Sequence, residues 1–460
     1  MRILSITAGA AGMYCGSCFR DNALAAELLA RGVDVTLVPV YTPTRTDEAN
    51  VSRNRVLFGG ISVYLQQYSA LFRKTPRLLD RLWDAPGVIA AFANRAMSTD
   101  ARLLGDLTIS MLQGEHGVLR KEFDKLVDWM RDEPRPDIIN LPNSLLIAMA
   151  EPLRRAFDRP ICCTLQGEEL FLNGLRAPYR EQALALIRQQ VKHVDRFIAV
   201  SRYCATFMSE LLAIPPGRIS VVPLGIKMDG YEQRITLGAG GAGGAGEDAF
   251  TIGYFARVAP EKGLHVLADA YVRLRQRIDA NGGVHGVPKG PGNVRLAAAG
   301  YLAPAHAAYL KDVQRTIDVA GLAREFSYQG ALDRAGKLAF LRGLDVLSVP
   351  ATYDEPKGMF LLEAMASGVP VVQPRRGGFT EIVEATGGGL LVEPDDPASL
   401  ADGLYALWSD RVKTEGLAAR AFDGVRSHYT IGRSANRLIE VYEAVLRTAS
   451  SSTSPRSSVA

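Results

Sequence analysis

The chain is short of several features that would have revealed its chemistry at once. Only five of its 460 residues are cysteine, Cys15, Cys18, Cys162, Cys163 and Cys204, too few in so long a chain for a disulfide framework. Cys15-Gly-Ser-Cys18 has the spacing of a redox pair or of half a zinc site, but the adjacent Cys162 and Cys163 make a poor second half, and the thiols read as small, half-buried structural residues. None of the six histidines pairs with another at metal-ligand spacing, and no D-x-D metal site, Ser-His-Asp or Cys-His set stands out. No apolar run approaches the roughly 20 residues that a membrane span needs, and the opening MRILSITAGAAG is broken by small residues without a basic leader. A cytoplasmic protein is expected. Excess charge is also missing: the formal net charge is +4, with no basic stripe interleaved with aromatics, so no nucleic-acid partner is expected.

What is present is apolar content and alternation. At 47% hydrophobic residues the chain can bury two cores. A strand over 1–7 leads into a glycine-rich loop over 9–16, a helix over 21–31 ended by Gly32, and a strand over 33–40. Such a loop can approach phosphate closely, but its glycines lack the G-x-G-x-x-G spacing of a nicotinamide site. A helical insertion, about 50–133, either shapes a second-substrate site or merely covers the sheet. Alternation then resumes and closes a first domain over 1–230. LGAGGAGGAGED, within 231–249, has the composition of a flexible linker. A second alternating run fills 250–427. It is followed by a helix over 428–448, with Leu438, Val441, Tyr442, Val445 and Leu446 at helical spacing, and by a serine-rich tail, 449–460, expected to be disordered. Two such runs imply an α/β protein of two doubly wound, Rossmann-like domains facing one another across a cleft.

The most informative stretch is YDEPKGMFLLEAMASG, residues 353–368, which sets Glu355 and Glu363 eight residues apart. Pro356 holds Glu355 in extended or turn geometry, whereas the apolar run after it forms a helix carrying Glu363. Gly358 and Met359 then lie at the helix N-terminus, where free N–H groups and the positive dipole end favour an anion. The two carboxylates would sit on the order of 10 Å apart, which suits a ligand with hydroxyls at both ends and phosphate between. Arg257 and Lys262, in the loop RVAPEKG after the first strand of the second run, would offset the charge on such a phosphate.

These residues resemble the retaining nucleotide-sugar glycosyltransferases of the GT-B fold, family 4-like, the group that includes bacterial glycogen synthases and phosphatidylinositol mannosyltransferases. The likeness is most specific at EPKGMFLLEAMASGVPVV and the following GGFTEIV. It implies that Glu355 contacts the donor sugar, that the amides of Gly358, Met359 and Phe360 hold sugar hydroxyls or phosphate, that Glu363 binds ribose and that Arg257 and Lys262 grip the diphosphate. Of the family's paired glycines only Gly16 carries over, Gln166 in LQGEE stands where many members have histidine, and V-P-N-G is here VPLG. The resemblance further implies that the last helix packs on the first domain. It implies attack by the acceptor hydroxyl from the leaving-group face, with no metal and no cofactor beyond the nucleotide sugar itself. A glucan phosphorylase, for which no pyridoxal-bearing lysine can be placed, a sugar-nucleotide epimerase and a non-catalytic nucleotide-sugar binder share the architecture. The donor's base and sugar, the acceptor (glycan, lipid or small molecule), peripheral membrane contact and oligomeric state stay open.

Overall fold

The computed structural model describes residues 1–9, 16–44, 46, 48–53, 104–232, 249–280 and 294–453. The chain divides into two compact units, Met1–Gly225 with Ile431–Ala460, and Ile226–Thr430.

In the first unit β1 (Arg2–Thr7), β2 (Asp34–Pro39), β3 (Ile138–Leu141), β4 (Ile161–Leu165), β5 (Arg196–Ala199) and β6 (Ile219–Val221) form a parallel sheet in the order β2-β1-β3-β4-β5-β6. Every residue of β3 (IINL) and β4 (ICCTL) is buried, as expected where a parallel sheet is covered on both faces. The first helix spans Gly16–Ala30, starting before the expected residue 21, because Gly16 and Ser17 carry no apolar signal and periodicity cannot reveal such a turn. Helices Gly105–Leu112 and Arg120–Asp132 occupy the end of the expected insertion; its stretch 54–103 lies outside the described residues, as do Cys15 and the linker over 233–248. Cys18, Cys162, Cys163 and Cys204 are buried free thiols, and burial pushes the thiols of Cys162 and Cys163 well up.

The last helix, Ile431–Thr453, belongs to this unit. Ile431, Ala435, Leu438, Val441, Tyr442 and Val445 are buried together with Leu24 and Leu28 of the first helix and with Ile3 and Val35 of the sheet, a spacing that makes one apolar stripe. The helix continues past residue 448, where the tail was expected to begin. Ser450 and Ser451 donate to the carbonyls of Leu446 and Thr448 at 3.0 and 2.8 Å, so their hydroxyls are satisfied within the helix.

In the second unit β7 (Phe250–Phe255), β8 (Val294–Ala299), β9 (Phe326–Tyr328), β10 (Val346–Leu347), β11 (Val371–Pro374) and β12 (Gly389–Val392) form a parallel sheet ordered β12-β11-β10-β7-β8-β9. The chain builds outward from β7 to β9, then returns to the other side of β7, so strand order reverses between β7 and β10. The unit begins at Ile226 rather than after residue 230. Ile226 N–H donates to Tyr429 O at 2.9 Å, and Arg334 and Arg342 donate to the carbonyls of Asp229 and Gly230 at 2.5 and 2.7 Å. Arg426 caps the carbonyl of Tyr231. Among the described residues no helix is long and apolar enough to cross a membrane.

Leu438 is 5% exposed within the first unit's core. Leu438→Ala is expected to destabilise that unit by about 2–5 kcal/mol, read by chemical denaturation; a loss below about 0.5 kcal/mol would show that the last helix is not part of the core.

Candidate functional site

The loops that follow β7 and β10 run side by side because these strands are hydrogen-bonded neighbours at the point of reversal, where open parallel sheets form a ligand crevice. The loop after β7 turns through Pro260–Lys262 into Gly263, whose φ is 75°. A Cβ at Gly263 would stand 1.9 Å from the carbonyl oxygen of Pro350, so only glycine lets the two backbones touch. Thr352 N–H donates to Glu261 O at 3.0 Å and ties the loops together.

This contact delivers Lys262 to Glu355. Lys262 Nζ donates to Tyr353 Oη at 2.8 Å and to Glu355 Oε2, and the Tyr353 hydroxyl donates to the same Oε2. The ammonium also lies 5.0 and 5.7 Å from the ring centroids of Tyr353 and Phe360, within cation–π range. Glu355 is 3% exposed. Burial by itself raises its pKa; the charges of Lys262 and Lys357 and the hydrogen bonds from Lys262 and Tyr353 outweigh that and hold it at about 2.

The backbone of Glu355 is fixed from behind. Gly378 N–H donates to Glu355 O at 2.7 Å, and Cβ atoms at Gly377 and Gly378 would approach the carbonyl oxygens of Glu355 and Pro356 to 2.5 and 2.8 Å. The paired glycines of GGFTEIV are thus required by this close approach. Gly358, at φ 77°, caps the helix Met359–Ala366, which has no acidic residue in its first turn. The N–H groups of Met359 and Phe360 find no acceptor among the described residues, leaving the positive end of the helix beside Lys262 and Lys357 for an anion.

Arg257 and Glu363 lie in the same unit with other partners. Arg257 Nη2 bonds Glu261 Oε1 at 2.6 Å, and Glu363 Oε1 accepts from the buried Lys337 at 2.7 Å. Sequence reasoning missed Tyr353 and Lys337. Tyr353 stands within the motif, two residues before Glu355, and could have been weighed; Lys337 sits on the helix Arg334–Arg342 and gives no local signal.

Gly16 and Gln166 belong to the first unit. Gln166, just after β4, is buried; its Nε2 donates to Asp21 Oδ1 at 3.2 Å and to Pro142 O at 3.0 Å. Glu168 braces this corner by accepting from the backbone N–H groups of Gln166 at 2.7 Å and Ser144 at 2.9 Å. A Cβ at Gly16 would meet nothing within 4 Å, so packing within the protein does not require glycine there.

Replacing Lys262 tests the electrostatics. With Glu355 held below its ordinary value, the pair's contribution to stability is present above the usual carboxylate range and is lost as pH falls through about 2. In Lys262→Met burial dominates and the pKa of Glu355 rises, so stability should instead fall as pH rises through the raised value. The expected loss is about 3–5 kcal/mol at pH 7 and clearly less at pH 4 in chemical denaturation. A loss independent of pH would show that Glu355 does not feel Lys262.

Residues 242–422 match the model for Glycosyl transferases group 1, and residues 111–229 match that for Glycosyltransferase Family 4. The chain is 28% identical over 282 residues to the D-inositol 3-phosphate glycosyltransferase of Stackebrandtia nassauensis, an alignment covering 59% of this chain and 58% of that protein. It is 30% identical over 265 residues to the phosphatidyl-myo-inositol mannosyltransferase of Mycobacterium tuberculosis H37Rv, covering 56% and 62%. The chain thus spans little more than half the length of these curated relatives. Among solved structures, the sucrose-phosphate synthase of Thermosynechococcus elongatus superposes with a TM-score of 0.67 at 17% identity, covering 97% of this chain and 99% of that one. Anabaena Alr3699/HepE, in complex with UDP and glucose, superposes with a TM-score of 0.65 at 17% identity, covering 96% and 100%. These two likenesses show the fold. The chain is thus similar to these two glycosyltransferase families over residues 111–229 and 242–422, and its fold is GT-B.

Proposed function

We propose that this protein transfers a sugar from a nucleoside-diphosphate sugar to a hydroxyl acceptor with retention of anomeric configuration. The observation that carries the reading is a buried, ionised carboxylate, Glu355, in contact with Lys262 at the start of a helix that has no acid in its first turn. The reading is also supported by the relatives, named for glycosyl and mannosyl transfer, and by a fold neighbour solved with UDP and glucose.

The roles follow from charge. As the bond between the anomeric carbon and the diphosphate oxygen breaks, negative charge grows on the diphosphate and positive charge on the sugar ring. Lys262, Arg257 and the N–H groups around Gly358, Met359 and Phe360 stabilise the former. Glu355 orients the sugar and offsets the latter. The acceptor oxygen bonds to the same face of the anomeric carbon, and its proton passes to the departing phosphate oxygen, so no separate base and no metal is called for. Glu363 takes the ribose hydroxyls, its carboxylate held by Lys337. Such chemistry belongs in the cytoplasm, where activated sugars are made.

Incubation with a panel of nucleotide sugars and hydroxyl acceptors, with the product anomer read by NMR, tests the reaction; an inverted product would overturn retention. Lys262→Ala and Arg257→Ala should each lower kcat/KM for donor by roughly 2–4 kcal/mol, about 30- to 1,000-fold. Both staying within about twofold would remove their assigned role. Activity should survive a chelator; complete loss, restored by Mg²⁺ or Mn²⁺, would overturn the metal-free account.

A further inference from the structure

Tyr353 stands where Lys262 and Glu355 meet. Its hydroxyl donates to Glu355 Oε2 and accepts from Lys262 Nζ at 2.8 Å, so Oε2 has two donors, an ammonium and a phenol. The two donors differ in what else can claim them. The ammonium is a mobile unit charge on a flexible stem, and a diphosphate competes for it with more negative charge than one carboxylate carries. The phenol is neutral, sits on a rigid ring two residues from Glu355 in the same loop, and has far less to gain from a phosphate.

Consider the carboxylate once Lys262 turns toward a diphosphate. Among the described residues, Lys262 from the loop after β7 and Tyr353 and Lys357 from its own loop face Glu355, and the N–H of Gly378 is committed to its backbone carbonyl. Beyond them Arg376 is engaged by Asp354 and Asp395. With Lys262 withdrawn, Tyr353 still donates to Oε2 of the carboxylate. A buried carboxylate stripped of donors takes up a proton, and a neutral Glu355 could neither offset charge on a sugar ring nor hold a defined direction.

We propose that Tyr353 is the positioning residue that keeps Glu355 ionised and aimed while Lys262 is engaged with the diphosphate of the donor. This inference rests on the donor-site reading above. It gives the phenol a role that matters in the complex and little in the free protein, which makes it separable from simple packing.

The test is Tyr353→Phe, which removes the hydroxyl and leaves the ring under Lys262. The first measurement needs no turnover: calorimetry of UDP and GDP binding in two buffers of different ionisation enthalpy, near pH 5.5, counts protons taken up. Wild type should take up almost none. Tyr353→Phe should take up a substantial fraction of one proton, and the double variant Tyr353→Phe/Glu355→Gln should again take up almost none. In turnover, kcat of Tyr353→Phe should fall about 10- to 100-fold while KM for donor moves by less than about threefold. The acid limb of the kcat profile, which reports the complex, should shift up by about one pH unit or more, while that of kcat/KM, which reports the free protein where Lys262 still faces the carboxylate, shifts clearly less. Equal proton uptake by wild type and Tyr353→Phe, or equal shifts in both limbs, would overturn the assignment to Tyr353. Failure of wild type to bind either nucleotide would instead overturn the donor-site reading, and this inference with it.

Discussion

In the free protein Lys262 is the main counter-charge that lets Glu355 stay a charged, buried carboxylate, and much of the second unit serves that one contact. Desolvation alone would neutralise the acid. Bringing the ammonium to it requires two loops that are distant in sequence to touch along their backbones. The reversal of strand order between β7 and β10 puts the loops side by side, Gly263 lets one lie directly on Pro350, and Gly377 and Gly378 let a third segment press on the carbonyls of Glu355 and Pro356. Each of these glycines sits where a methyl group would force backbones apart.

The first unit has the same reversal of strand order, with a different set of side chains at it. Its strand order reverses between β1 and β3, and beyond the carboxyl ends of its strands a hydrogen-bonded network gathers around Asp21, which is itself ion-paired with the buried Arg20 at 3.3 Å. Asp21 accepts from Thr7 at 3.0 Å and from Gln166, while Glu168 braces the backbone of Gln166 and Ser144. Both amide hydrogens of Gln166 are occupied by Asp21 and Pro142, so the orientation of this amide is set by its neighbours.

Local rules made a good part of this legible in the sequence. The start of the helix after Glu355 was readable because Pro356 and Gly358 each have one conformational meaning, and two doubly wound units followed from alternation with a glycine-rich break. Boundaries set by distant partners were not readable. Residues 226–231 fall in the second unit because arginines at 334, 342 and 426 cap their carbonyls, and nothing near residue 226 announces that. The same limit hid the Glu363–Lys337 pair and the phenol between Lys262 and Glu355. Arg257 is the opposite case: its partner Glu261 is four residues away and was in plain sight, but a loop lacks the periodicity that would have flagged the pair.

The separation of Lys262 and Glu355 by 93 positions has a consequence for how such a protein can change over generations. Loss of Lys262 leaves Glu355 buried without its main counter-charge, a cost of about 3–5 kcal/mol at neutral pH, a sizeable part of the margin by which domains stay folded. The two codons are therefore epistatic: neutral drift at one is closed unless the other moves with it. A laboratory library that randomises the glutamate motif alone would recover almost nothing but glutamate, whereas one that varies both positions together could reach charge-free pairs that single steps cannot.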